Sequence, residues 1–253
     1  MLAGRVALVT GASHGTGVDI ARALAAAGAE VAVHYRSDRV AAEALAGAIQ
    51  SEGGVAEVFT GDVARGDDVR RLVAAVELRL GAPGIVVNNA GPFNDTAFAE
   101  LAEADWDYVM NANLKAVYLI TQLVAAGMRR AGWGRVVNIG ATSGLVRSHG
   151  VYGLAKAALL PLTQALALEL APAVTVNAVV PSQIASARTD RMATYKAAAI
   201  AGTPLGRLVT QAEIGQMVVR LCSSEFDFVT GQAIVMDGGR VIPRFPRLNL
   251  SPE

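Results

Sequence analysis

The sequence predicts an α/β chain with a doubly wound parallel sheet of about seven strands and helices on both faces. Three observations predict it. Short apolar runs alternate with helix-length amphipathic segments along the 253 residues. The runs are near-continuously apolar, the pattern of strands buried on both faces. Glycine-rich or polar turns follow them at their C-terminal ends, where open parallel sheets bind ligands.

In order, "RVALVT" (5–10) is a first strand ending in glycines, and 15–28 is a first helix. "EVAVHY" (30–35) precedes the alanine-rich helix "DRVAAEALAGAIQSEG", and "GVAEVFT" (54–60) precedes a helix over 67–80. "GIVVNNAG" (84–91) leads into one long helical stretch from Asp105 to Arg130. "GRVVNIG" (134–140), a helix over 151–171, "AVTVNAVV" (173–180), a helix over 210–222 and "GQAIVMDGG" complete the alternation. No repeat or linker divides the chain, so 1–253 is expected to be a single domain, with a substrate lid over 187–207 and a proline-broken tail over 240–253.

Composition narrows the function classes. Hydrophobic residues make up 53% of the chain, enough for a large core. Lys plus Arg equals Asp plus Glu at 22 each, which argues against a nucleic-acid partner. Cys222 is the only cysteine, so no disulfide framework exists within the chain, and a reducing, cytoplasmic location is expected. Glu169, Pro172 and Asn177 interrupt the longest apolar stretches short of the roughly 20 residues of a membrane span. The three histidines are scattered and suggest no metal site.

The first turn is "TGASHGTG", Thr10 to Gly17. Gly11 permits a tight turn, Gly15 lets backbone approach a pyrophosphate, and Gly17 lets the helix pack on the strand. Between them Ser13 and Thr16 offer further donors to the anion, and His14 lies close to the corner formed by the end of the second strand. At the end of the second strand His34, Tyr35, Arg36 and Ser37 contain no carboxylate of the kind that holds the ribose of NAD. Arg36 can meet a 2′-phosphate and Ser37 can donate to it, which points to NADP(H). Asp62, after the third strand, suits an adenine amino group, with the Val63 backbone as donor. Asn89, Ala90 and Gly91, after the fourth, suit backbone pressed against the adenosine half.

Together with "NANLKAVYL", "YGLAK" and "TVNAVVPSQIAS", these strings resemble the short-chain dehydrogenase/reductase family over essentially the whole chain. The resemblance implies a Rossmann-type sheet, an NADP(H)-dependent carbonyl reductase acting on a small molecule, and a homo-oligomer, tetramer or dimer. It implies that Tyr152 and Lys156 are the catalytic pair, that Asn113 completes a proton relay, and that Pro181, Ile184 and Ser186 hold the nicotinamide amide. The i, i+4 spacing of Tyr152 and Lys156 puts both on one helical face. A free phenol titrates near about 10. An ammonium about 4 Å away would favour the phenolate by up to roughly 4 kcal/mol at an effective dielectric of 20.

One position departs from the family. Counted from the strand, the catalytic serine falls on Ala141; counted back from Tyr152 it falls on Ile139 or Gly140, because the loop is about two residues short. Thr142 and Ser143 are the nearest hydroxyls, and on extended backbone Ser143 would face the same side as Ala141. Two expectations follow: an NADPH-dependent reductase using Tyr152, or a cofactor-binding relative with little redox activity.

Overall fold

The computed structural model describes residues 1–146 and 148–243. Among the described residues nine strands form: β1 (Val6–Val9), β2 (Glu30–Tyr35), β3 (Val55–Thr60), β4 (Ile85–Asn88), β5 (Gly134–Ile139), β6 (Val174–Pro181), β7 (Ile184–Ala185), β8 (Val209–Thr210) and β9 (Ala233–Met236). Seven of them make one all-parallel sheet in the order β3-β2-β1-β4-β5-β6-β9, the expected doubly wound arrangement. Chain order reverses between β2 and β4 around β1, so the ligand-binding crevice falls beyond the C-terminal ends of β1 and β4.

The strands divide their side chains between two cores, which is why they read as unbroken apolar runs. Val9, Val31, Val33, Val87, Val137 and Ile139 face the layer of α1 (Thr16–Ala26), α2 (Arg39–Ser51) and α10 (Gln211–Cys222). Leu8, Ala32, Val86, Val136 and Val176 face α3 (Gly66–Arg79), α5 (Ala116–Arg130) and α7 (Gly150–Leu170) on the other side. Burying each of these larger side chains contributes roughly 1.5–3 kcal/mol, so both faces drive the sheet together. Cys222 is buried in the first core, and burial pushes its thiol up to about 12, as befits a small apolar residue.

α7 is long and apolar enough to cross a membrane by length and hydropathy. Val151, Ala155, Leu159, Leu166 and Leu170 are instead buried within the fold, which accounts for its composition.

The long helical stretch expected from Asp105 to Arg130 forms over 103–130, with one irregularity: α4 (Glu103–Met110) passes into a π-turn at 111–115 before α5 resumes. Apolar periodicity runs through the whole stretch, so the sequence does not mark the π-turn. The segment after β6 forms two helices, α8 (Ala187–Asp190) and α9 (Ala193–Ala201). β7 and β8 pair in parallel, Ile184 beside Val209 and Ala185 beside Thr210, so one clip holds both ends of the 187–207 segment. Of the tail expected over 240–253, residues 244–253 lie outside the described residues.

Candidate active site

The glycine turn is built as its sequence suggests. Gly11 and Gly15 have φ of 63° and 57°, a region costly for other residues. A Cβ on Gly17 would lie 2.3 Å from Gly11 O, so only glycine lets α1 approach β1 this closely. Two residues brace the turn from below. The Thr10 hydroxyl accepts from the backbone N–H groups of Asn89 and Ala90, and Asn89 Nδ2 donates to the carbonyls of Thr10 and Gly11. The Asn89 side chain therefore splices the end of β4 to the glycine turn, while the adjoining backbone of Ala90 and Gly91 lines the cleft.

His34 is the brace that the sequence reading passed over. It is 1% exposed; its Nδ1 accepts from Gly11 N–H at 3.0 Å, and its Nε2 lies 3.0 Å from Gly61 O. This pairing puts the single proton on Nε2, and burial lowers the imidazole pKa to about 4.

The cleft above this floor is about 430 Å³, bounded by Ser13, His14, Thr16, Arg36, Ser37, Asp62 and Val63. Asp62 Oδ1 already accepts from Ala64 N–H. At the far corner Arg36 reaches across to the Tyr108 hydroxyl and lies 5.8 Å from that ring's centre. Asp38, one residue past the stretch read as acid-free, also borders the cleft. Its carboxylate is committed: Oδ1 caps α2 by accepting from Ala41 N–H, and Oδ2 sits 3.1 Å from His14 Nε2. The corner is thus a cation with a hydroxyl neighbour, plus an acid held by other partners.

At the other end, Tyr152 and Lys156 occupy the first turns of α7 as expected. A polar ladder fixes that helix: Asn88 Nδ2 donates to Asn138 Oδ1, and Asn138 Nδ2 donates to Thr163 Oγ1. Lys156 Nζ donates to Ile139 O at 2.8 Å and lies 5.6 Å from the centre of the Tyr152 ring. Asn113 sits inside the π-turn. Its Nδ2 donates to Val109 O, the carbonyl four residues back, and to Pro92 O, both at 3.0 Å. The side chain thereby satisfies a carbonyl that the wider turn leaves over. Asn113 Oδ1 is buried with no partner among the described residues. A Cβ on Gly91 would fall 2.2 Å from that oxygen and 3.4 Å from Lys156 Nζ. The absent side chain of Gly91 therefore leaves the space in which the asparagine oxygen and the lysine both sit.

The electrostatics correct the expected acidified phenol. Burial pushes Tyr152 up to about 12 and Lys156 down to about 8. Desolvation outweighs the ammonium here, because Nζ is tied to the Ile139 carbonyl and the phenol ring is enclosed. In the protein alone Tyr152 is a protonated phenol, and Lys156 exchanges its proton near neutral pH.

The loop holding Ala141 also differs from expectation. Residues 142–146 form a helix, α6 (Thr142–Val146), so Ser143 is not on extended backbone and does not share Ala141's side. Both Thr142 and Ser143 are buried, and neither hydroxyl bonds to Tyr152 among the described residues. Two glycines let this short loop fold tightly onto α7. A Cβ on Gly144 would meet Lys156 backbone at 2.6 Å, and one on Gly153 would meet Ser148 O at 1.7 Å. The turn closes through His149, in the left-handed region at φ 66°.

Pro181 is buried at the end of β6. The Ile184 carbonyl accepts from Thr189 Oγ1, and Ser186 caps α8 reciprocally with Thr189. Opposite them Phe93 packs edge-on against Tyr152 and His149, with ring centres 5.1 and 5.5 Å apart. Phe93 and Tyr108 were missed in the sequence because both come from segments without strand or motif context.

A family model described as Enoyl-(Acyl carrier protein) reductase matches residues 11–240. The chain is 37% identical over 242 residues to the 3-oxoacyl-[acyl-carrier-protein] reductase FabG of Pseudomonas aeruginosa, covering 94% of this chain and 98% of that one. Among solved structures it is similar to a short-chain type dehydrogenase/reductase from Mycobacterium marinum, with TM-score 0.89, 34% identity and coverage of 96% and 97%. It is also similar to a gluconate 5-dehydrogenase from Burkholderia cenocepacia J2315 in complex with NADP and tartrate, with TM-score 0.88, 32% identity and coverage of 96% and 97%. Fold, ordered strand-end residues and these similarities converge: the chain belongs to the short-chain dehydrogenase/reductase family of oxidoreductases.

Proposed function

We propose that this chain is an NADPH-dependent reductase of a small ketone or 3-oxo compound, with Tyr152 as proton donor. The observation that carries the reading is the meeting of Lys156 Nζ and the unpartnered Asn113 Oδ1 beside Gly91, one helical turn from Tyr152. The residues fit a dinucleotide: positions 17 and 91 have no room for a Cβ, Gly11 turns at φ 63°, and the adjoining cleft ends at Arg36 and Ser37. Gly11, Gly15 and Thr16 would hold the pyrophosphate, Arg36, Ser37 and His14 the 2′-phosphate, and Asp62 and Val63 the adenine. The relative solved with NADP supports this choice of cofactor, and the similarity to a 3-oxoacyl reductase supports the substrate type.

NADPH, when bound, supplies the hydride. Tyr152, protonated at neutral pH, gives its hydroxyl proton to the substrate oxygen. Lys156, poised near about 8, returns a proton to the phenolate, and Asn113 Oδ1 anchors the relay that resupplies it. Phe93 packs edge-on against the Tyr152 ring and would flank the reacting face. The half-exposed Tyr118 and Leu154 and the exposed Leu168, on α5 and α7, offer an apolar surface through which copies associate as a dimer or tetramer in the cytoplasm.

Absorbance measurements of NADPH oxidation over a panel of ketones and 3-oxo esters test the reading, with NADH run in parallel. The expected result is turnover favouring NADPH at least about tenfold, with Arg36→Ala erasing the preference. Equal use of NADH would overturn the cofactor assignment. Ala141, together with the absence among the described residues of a hydroxyl bonded to Tyr152, favours a second reading in which the chain binds the cofactor but reduces little. That reading predicts NADPH binding without turnover anywhere on the panel.

A further inference from the structure

Arg188 stands on α8, two residues beyond Ser186. The turn that carries it is fastened in place. Ser186 and Thr189 cap each other, Thr189 Oγ1 donates to Ile184 O at 3.1 Å, and the β7–β8 clip secures the strand beneath. The other cations of the 187–207 segment have partners: Lys196 pairs with Asp190, Arg207 pairs with Glu213, and Arg191 Nε donates to Ala187 O. Among the described residues Arg188 has neither an ion-pair nor a hydrogen-bond partner. Its guanidinium carbon lies 5.8 Å from the centre of the Phe93 ring, which is 5.1 Å from that of Tyr152. The unpaired cation is therefore within about 11 Å of the phenol ring, on the aromatic wall of the reaction site.

We propose that Arg188 determines specificity for an anionic substrate: a small oxo acid whose carboxylate pairs with the guanidinium while its carbonyl meets Tyr152. This rests on the reading of Tyr152 as proton donor. A guanidinium stays charged at every working pH and grips a carboxylate through two parallel N–H bonds. A separation of at most about 11 Å between the guanidinium carbon and the phenol ring centre admits an oxo acid of about four to six carbons, at roughly 1.5 Å per carbon–carbon bond. Phe93 supplies the apolar platform along which that chain lies. The anchor also answers the loss at Ala141. A carbonyl lacking a serine donor is still oriented when the far end of the molecule is fixed.

The test compares 4-oxopentanoate with its methyl ester as substrates for the wild type, Arg188→Gln and Arg188→Lys. The wild type is expected to favour the acid by at least about tenfold in kcat/KM. Arg188→Gln collapses that ratio toward unity, mainly through KM, and Arg188→Lys recovers part of it. An ester used as well as the acid, or a preference that survives Arg188→Gln, overturns the proposal. A binding measurement separates it from the reduction chemistry. Calorimetric titration of the NADP⁺-saturated protein with succinate, against succinamide, is expected to show saturable binding of the dicarboxylate alone, weakened at least about tenfold by Arg188→Gln. That result upholds the anion site even if the proton-donor assignment fails. Absent or unaltered succinate binding refutes the site even if neutral ketones are reduced.

Discussion

Acidification should destabilise this protein through one buried residue, His34. The imidazole is neutral in the folded chain, accepting from Gly11 N–H and bonded to Gly61 O, and its pKa is lowered from 6.5 to about 4. The unfolded chain takes up a proton as pH falls through 6.5, and the folded chain does so only near 4. Stability held above pH 6.5 is therefore lost on the way down, at about 1.4 kcal/mol per pH unit, reaching roughly 3 kcal/mol below pH 4. Glu213, held down to about 2 by Arg207, acts only below the ordinary carboxylate range, so the upper part of the window belongs to His34. Urea unfolding of wild type and His34→Gln between pH 7.5 and 5, at one protein concentration, measures the effect. The wild type should lose about 2 kcal/mol more than the variant between pH 7.5 and 5. NADPH affinity should weaken only as pH approaches 4, where the folded chain protonates Nδ1 and it can no longer accept from Gly11. Parallel pH profiles for the two proteins would refute the reasoning.

Two substitutions probe the catalytic end. Gly91→Ala puts a Cβ 2.2 Å from Asn113 Oδ1, so the asparagine must surrender its bonds to Pro92 and Val109. A stability loss of about 2 kcal/mol and a fall in kcat of at least about tenfold are expected, read by urea unfolding and by steady-state rates. Ala141→Ser places a hydroxyl where the family resemblance counts its catalytic serine, and on the reading that no other donor serves there kcat should rise by about 10- to 100-fold at saturating NADPH, somewhat below the effect of removing a donor from a mature oxyanion site. No gain would mean that the substrate oxygen is already held by another group.

Most of the sheet was legible because strands buried on both faces leave continuous apolar runs, and Val31 to Val33 or Val86 to Val87 carry that signal without interruption. The glycine turn was legible because Gly11, Gly15 and Gly17 each solve a local backbone problem that other residues cannot. The π-turn around Asn113 was not, since it inserts a wider turn without altering the apolar rhythm of its flanks. Asp38 escaped notice because its approach to the cleft depends on how α2 begins. The helix at Thr142–Val146 depends on Gly144 and Gly153 packing against α7, a tertiary contact invisible in a window of sequence. The rise in the Tyr152 pKa follows from enclosure, which spacing along a helix cannot report.

The proposed proton transfer from the Tyr152 hydroxyl to the substrate oxygen is tested most directly by single-turnover reduction with Tyr152→Phe, with NADPH affinity measured on the same sample. A fall of about 10²–10⁴ in the chemical step with NADPH binding retained is the predicted result. Turnover within a few-fold of the wild type would contradict it.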